Sequence, residues 1–205
     1  MRTSIATFAG LGALLLTTTH AMSADPLPPA GSYNWGGLYA GVYGGYSFFN
    51  STILGANNSF NGYDLGGIIG GNYQVDKFVF GLEGDVGYSG ANGTFTAPIA
   101  HSQEAGMNYA LRARAGYAVD TTLLFIEGGG AWTQYKGKAG GATILDDTVM
   151  GYQIGAGVEQ ALTQNITLRV DGLYTKYGVT KNITLAPAGF DPSSFTARVG
   201  LTYKF

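Results

Sequence analysis

Two carboxylates two residues apart, Glu83 and Asp85, and two arginines with the same spacing, Arg112 and Arg114, are the side chains in this sequence best equipped for chemistry. A carboxylate pair can divide the roles of general acid and general base when its surroundings push the two proton affinities apart. A spacing of two also puts both members on one face of a β-strand, because side chains alternate across a strand with period two. Followed along the chain, that parity gathers Glu127, Glu159, Arg169, Asp171, Arg198 and Lys204 on the same face as Glu83, Asp85, Arg112 and Arg114. Five of these ten are acidic and five basic, so the set is formally neutral. Buried charges persist only when paired and hydrogen-bonded, and here an opposite charge is available to every acid. Glu83 and Asp85 lie one strand before Arg112 and Arg114, and Arg169 and Asp171 neighbour Arg198 and Glu159 in the same way. The expectation is an interior charge network, with no catalytic residue and no enzymatic activity.

The other chemical signals are thin. There is no cysteine, hence no disulfide framework and no thiolate metal site. Beyond the N-terminal leader described below, His101 is the one histidine, which is too few for a histidine metal centre or a Ser-His-Asp triad. Gly66-Gly67 and Gly128-Gly129-Gly130 lie inside alternating segments with no helix after them, unlike a phosphate cradle. A net charge of −2 with no basic block excludes nucleic acid as a partner. No metal or cofactor is expected.

The elements that position the charges are strands. Eight segments alternate apolar with polar or small residues: Leu38 to Phe48, Tyr63 to Val75, Phe78 to Tyr88, Met107 to Val119, Leu124 to Trp132, Met150 to Val158, Ile166 to Tyr174 and Arg198 to Phe205. In each, one face is apolar and aromatic, and the other carries the charges and many of the glycines. Each segment is about ten residues, the length of a tilted strand crossing a bilayer. No apolar run approaches the roughly 18 residues of a transmembrane helix, and a closed barrel is the other structure whose backbone is satisfied within lipid.

Three short connections, at Asp76-Lys77, Asp120-Thr121 and Thr163-Gln164-Asn165, alternate with four long ones: Asn50 to Asn61, Ser89 to Ala105, Tyr135 to Asp147 and Gly178 to Ser194. All six prolines lie in the tail or in the long connections, so none interrupts a ladder. Aromatic residues collect near segment ends, as in the two interfacial girdles of a membrane barrel. The fold expected is all-β: an eight-stranded antiparallel transmembrane β-barrel with short periplasmic turns and four long extracellular loops.

At the N-terminus, Arg2 precedes an apolar run from Ile5 to Leu16, and the small Ala24 closes a polar stretch. This is the layout of a secretory signal peptide at 1–24, with Ala21-Met22 as the alternative cleavage point. Residues 25–33, with Pro26, Pro28 and Pro29, read as an extended periplasmic tail. The barrel occupies 34–205.

The stretches Trp35-Gly-Gly-Leu-Tyr-Ala-Gly, Phe80-Gly-Leu-Glu-Gly-Asp85, Arg112-Ala-Arg-Ala-Gly-Tyr117, Gly155-Ala-Gly-Val-Glu159 and Arg198-Val-Gly-Leu-Thr-Tyr-Lys-Phe205, in this order and spacing, resemble the alphaproteobacterial small outer-membrane β-barrel family, the outer-membrane immunogenic or porin-family proteins. The resemblance implies an eight-stranded barrel in the bacterial outer membrane with surface-exposed loops. It also implies insertion by the outer-membrane assembly machinery, with Gly200, Tyr203 and Phe205 as the assembly signal. Gln160 departs from the family, which commonly has an aromatic there.

The function expected is envelope structure and surface interaction, with outer-membrane lipid as surroundings and an interior that is closed or at most narrowly conducting. Eight strands leave room for little more than side chains, whereas solute porins use about sixteen to eighteen. A small-solute porin is the alternative. A second alternative, binding of haemin or a host ligand at the loops, comes from the resemblance alone, since relatives include haemin binders and host-recognised antigens. A lipocalin-like carrier is disfavoured, because it needs an apolar interior.

Mass analysis of the protein from isolated outer membranes is expected to give an N-terminus at Asp25. Recovery of mature protein that still carries Ile5 to Leu16 would show that no leader is removed.

Overall fold

The computed structural model describes residues 33–53, 56–95, 101–139, 142–178 and 193–205. The expected leader at 1–24, nearly all of the tail at 25–33, Pro98, Pro187 and Pro192 lie outside them. Nine strands are described: β1 (Gly37–Ile53), β2 (Ala56–Val75), β3 (Phe78–Ser89), β4 (Asn92–Phe95), β5 (His101–Val119), β6 (Thr122–Ala139), β7 (Ala142–Ala161), β8 (Ile166–Tyr177) and β9 (Ser193–Lys204). Eight of them form the wall, each antiparallel to its neighbours, in the ring order β1-β9-β8-β7-β6-β5-β3-β2. The ring closes because β1 pairs on one side with β2, from Gly37↔Asn72 to Ile53↔Ala56, and on the other with β9, from Tyr39↔Lys204 to Asn50↔Ser193. No edge is left in the wall, so the backbone donors and acceptors of each strand find partners within the protein. The short β4 lies at one rim, where it bridges β2 and β5.

Alternation sorts the side chains as a membrane barrel requires. Leu38, Ile69, Tyr73, Leu82 and Ile126 on the outer face are each more than 60% exposed, and the exposed apolar residues continue around the whole ring. A surface of that kind is a lipid contact, not a water contact. Aromatic rings meet near both rims: Tyr46 with Phe48 at one, and Phe78 with Tyr117 and Tyr203 with Phe205 at the other.

The two rims differ. Asp76-Lys77 and Asp120-Thr121 form two-residue turns with Asp76 and Asp120 both at φ 52°, a left-handed conformation that Asp tolerates better than most residues. The third turn on this rim, Leu162 to Asn165, is tied by Thr163 Oγ1, which accepts from the Ile166 amide at 2.9 Å. At the opposite rim the long connections expected at Asn50 to Asn61 and Tyr135 to Asp147 are mostly strand. The β1–β2 ladder continues to Ile53↔Ala56 and the β6–β7 ladder to Ala139↔Ala142. The connection expected at Ser89 to Ala105 contains β4 and the first residues of β5, and the one at Gly178 to Ser194 falls largely outside the described residues. The ladder outruns the alternation because backbone pairing needs no lipid-facing side, and without one nothing forces polar and apolar residues to alternate.

Inside, close packing depends on glycine at two places in β2. Tyr39 and Tyr43 of β1 face Gly70 and Gly66 across the ladder, and each ring lies over its glycine. A Cβ at Gly66 would stand 2.5 Å from the Tyr43 ring, whereas one at the neighbouring, outward Gly67 would meet nothing closer than the Gly41 carbonyl at 3.7 Å.

Gly66→Val is therefore expected to displace Tyr43 and lower stability by about 1–3 kcal/mol, and Gly67→Val to leave it nearly unchanged. Urea unfolding of the refolded barrel in lipid vesicles, followed by the heat-dependent gel shift, measures both.

Candidate functional site

The lumen is layered. At the long-hairpin rim, Phe49 stacks on Phe60 with ring centroids 4.9 Å apart, and Ala91, Ala105, Val149 and Tyr177 complete an apolar lid. Below it is a polar layer that includes Ser47, Asp64, Ser89, Thr133, Gln153 and Thr175. The charges come next. At the short-turn rim, Val79, Ala118, Leu123, Phe125 and Ala161 form an apolar floor into which Tyr33 and Trp35 fold from before β1. Tyr33 and Trp35 are buried and meet edge to face at 4.6 Å, and the Trp35 amide donates to Gln74 Oε1 at 2.6 Å.

Nine of the ten charges singled out by parity lie together in the charge layer. Arg112 on β5 donates to Glu83 Oε1 at 2.8 Å, Glu127 Oε2 at 3.0 Å and Gln153 Oε1 at 2.5 Å, and also to Asp85. Arg169 on β8 donates to Asp171 Oδ2 at 2.6 Å and Glu127 Oε1 at 2.9 Å, and to Glu83. Glu83 is on β3, which stands opposite β8 in the ring, so this contact crosses the lumen. Arg114 donates to Glu159 Oε2 at 2.8 Å and to the Tyr39 hydroxyl at 3.0 Å, while that hydroxyl donates to Glu83 Oε2 at 2.8 Å. Arg198 donates to Asp171 Oδ1 at 2.7 Å and Asp85 Oδ2 at 3.2 Å. Arg114 and Arg169 also stack on Phe125, 4.3 and 4.6 Å from its centroid, which joins the charge layer to the floor.

The tenth residue stands apart. Lys204 has the inward parity but is the last residue of β9, at the rim. Its ammonium donates to the Asn34 carbonyl and sits 4.3 Å from the Tyr33 centroid, so it ties the N-terminal segment to the mouth and makes no bond to the network. The interior is also not neutral as expected. Asp64 faces inward and is buried, yet faces Gly45 and Ser89 across its two ladders. A set of charges gathered by their opposites passes over an acid with no cation across from it. Tyr39, Tyr43, Phe125 and Gln153 were readable as inward from the same parity, but nothing in their spacing marks them as partners of the arginines.

This geometry does not suit catalysis. The side chains of Glu83, Arg112 and Arg169 have 0% exposure, and every acid of the network is held by a guanidinium. A general acid or base must be free to exchange a proton with a substrate, and each of these carboxylates is engaged by an arginine. No group of three or more His, Cys, Asp or Glu able to hold a metal ion exists among the described residues. The side chain of His101 lies outside the described ones.

The family model described as outer membrane protein beta-barrel domain matches residues 11–205. The chain is 35% identical over 189 residues to the 25 kDa outer-membrane immunogenic protein of Brucella melitensis, covering 88% of this chain and 84% of the relative. It is 33% identical over 190 residues to the 22 kDa outer membrane protein of Rhizobium leguminosarum bv. viciae, covering 88% and 82%. Among solved structures, the attachment invasion locus protein Ail of Yersinia pestis aligns with a TM-score of 0.51 at 16% identity over 83% of this chain and 99% of that one. OprG of Pseudomonas aeruginosa aligns with the same TM-score at 12% identity over 83% and 96%. At such identities these two structures speak for the fold alone.

Removing Arg169 leaves Glu83, Glu127 and Asp171 short of a donor where no water reaches. Arg169→Met is expected to cost about 3–5 kcal/mol, and Lys204→Met, at a wet rim, less than about 1 kcal/mol. Urea midpoints in lipid vesicles compare the two.

Proposed function

Because this chain belongs to the outer membrane protein β-barrel family and resides in the bacterial outer membrane, we propose that it is a closed surface barrel, a structural and interaction protein of the envelope and not a solute channel. The observation that carries this reading is the layered lumen. A solute would have to pass an apolar lid, a layer of four arginines each paired with carboxylates, and an apolar floor sealed by Tyr33 and Trp35. Eight strands leave no continuous passage beside such a filling. With every acid of the charge layer engaged, the reading is also non-enzymatic.

Under this proposal the short turns at Lys77 and Asp120 face the periplasm and the long hairpins face outside. Two features support the orientation. Short periplasmic turns and longer outer loops are the rule for these barrels, and the Brucella relative carries the word immunogenic in its name, which fits hairpins displayed at the surface. Host or small-molecule ligands then meet the long hairpins. Gly200, Tyr203 and Phe205 serve as the signal read by the assembly machinery. Their placement suits that role: Tyr203 and Phe205 are exposed on the outer wall, and the Phe205 amide closes the seam by donating to the Leu38 carbonyl at 3.0 Å.

Planar-bilayer recording tests the closed interior. The expected result is no stable single-channel current from the wild-type barrel, and the appearance of small currents when Trp35→Ala opens the floor. Large, reproducible wild-type currents would make it a porin.

A further inference from the structure

The inner wall carries more negative charge than its arginines balance. Asp64 joins the five acids of the charge layer, and Lys204 leaves its five bases for the rim, so six carboxylates face four guanidiniums among the described residues. One of the two excess charges can be located. The four guanidiniums are committed to the other acids, with Arg198 held by Asp171 and Asp85. Asp64 is 5% exposed, the hydroxyls of Ser47 and Ser89 hydrogen-bond its carboxyl group, Asn108 Nδ2 stands 3.5 Å from its Oδ1, no guanidinium pairs with it, and its Oδ2 accepts from no described group. An uncompensated carboxylate in such a place is costly unless a cation or proton joins it.

A cavity of about 40 Å³ adjoins this carboxylate, between the Phe49–Phe60 lid and the charge layer. It is larger than the space one water needs, and its wall near Asp64 presents oxygen: the hydroxyls of Ser47, Ser89 and Tyr43 and the amide of Asn108. Hard cations are held by such donors. The absence of a group of three acids or histidines among the described residues argues against a calcium or transition-metal site, and a single free carboxylate matches a single positive charge. We propose that this chamber binds one small alkali-metal cation, held by Asp64 Oδ2 and the neutral oxygens around it.

The test compares thermal unfolding of the mature barrel, refolded in non-ionic detergent, in sodium chloride and in choline chloride at equal ionic strength. Choline is too large for the chamber. Wild type is expected to melt about 2–4 °C higher in sodium, with the increment saturating as sodium rises. Asp64→Asn, which keeps the shape and removes the charge, is expected to melt alike in both salts and no lower than wild type in choline. Should that variant fail to fold, Asn108→Ala keeps the carboxylate, removes an oxygen, and is expected to move the sodium titration to higher concentration. Identical wild-type melting in both salts overturns the proposal, and with stability rising on acidification assigns the place to a proton. A sodium increment that survives Asp64→Asn overturns it too, by placing the ion elsewhere.

Discussion

Hydrocarbon offers a peptide group no hydrogen-bond partner. A sheet in lipid therefore cannot have an edge, and in this chain the requirement is met at the seam where β1 meets β9. The rest follows. A closed ring of eight strands fixes the radius, the radius fixes how much side chain the lumen must accommodate, and period two assigns alternate residues to that task. Outward positions are then free to be apolar, and are. Inward positions must fill a narrow tube, and glycine opposite tyrosine and arginine stacked on phenylalanine do much of that filling here.

The same confinement explains the form of the charge layer. Arginine suits it because one planar fork can serve several carboxylates at once, and Arg112 and Arg169 each engage three. Arg169 reaches the opposite wall to meet Glu83, so the layer braces the ring across its diameter as well as filling it. Ion pairs so enclosed gain less net stability than their short distances suggest, since desolvation offsets much of the attraction. Their clearer effect is on register: a one-residue slip of any charged strand would turn its arginine or carboxylate into lipid.

Much of this was legible in the sequence, because alternation is strict where one face meets lipid. The parity of Glu83, Arg112 and Arg169 told which way they point. Parity carries no depth, so Lys204 at the rim shares it with residues that lie far from the rim. Nor could it tell reach, since an arginine spans the lumen and its partner need not be a ladder neighbour. Asp64 shows a third limit: its parity was plain, but its lack of a partner becomes visible only in three dimensions. The hairpins beyond the lipid-facing band are hardest to read, because the lack of a lipid-facing side removes the constraint that writes the pattern.

The N-terminal segment is held by the C-terminal strand. Lys204 reaches back to Asn34, and the same rim seats Tyr33 and Trp35 in the floor. The first strand thus has half its partners at the far end of the chain, with Tyr39 paired to Lys204. Contacts so distant in sequence close slowly, and here the final strand must exist before the first can be enclosed. Until β9 is in place, β1 is an open edge and the floor has no mouth to plug. The molecule is fastened like a belt, with the buckle at one end and the hole at the other, and any factor that guards the unfinished chain has β1 as the strand to cover.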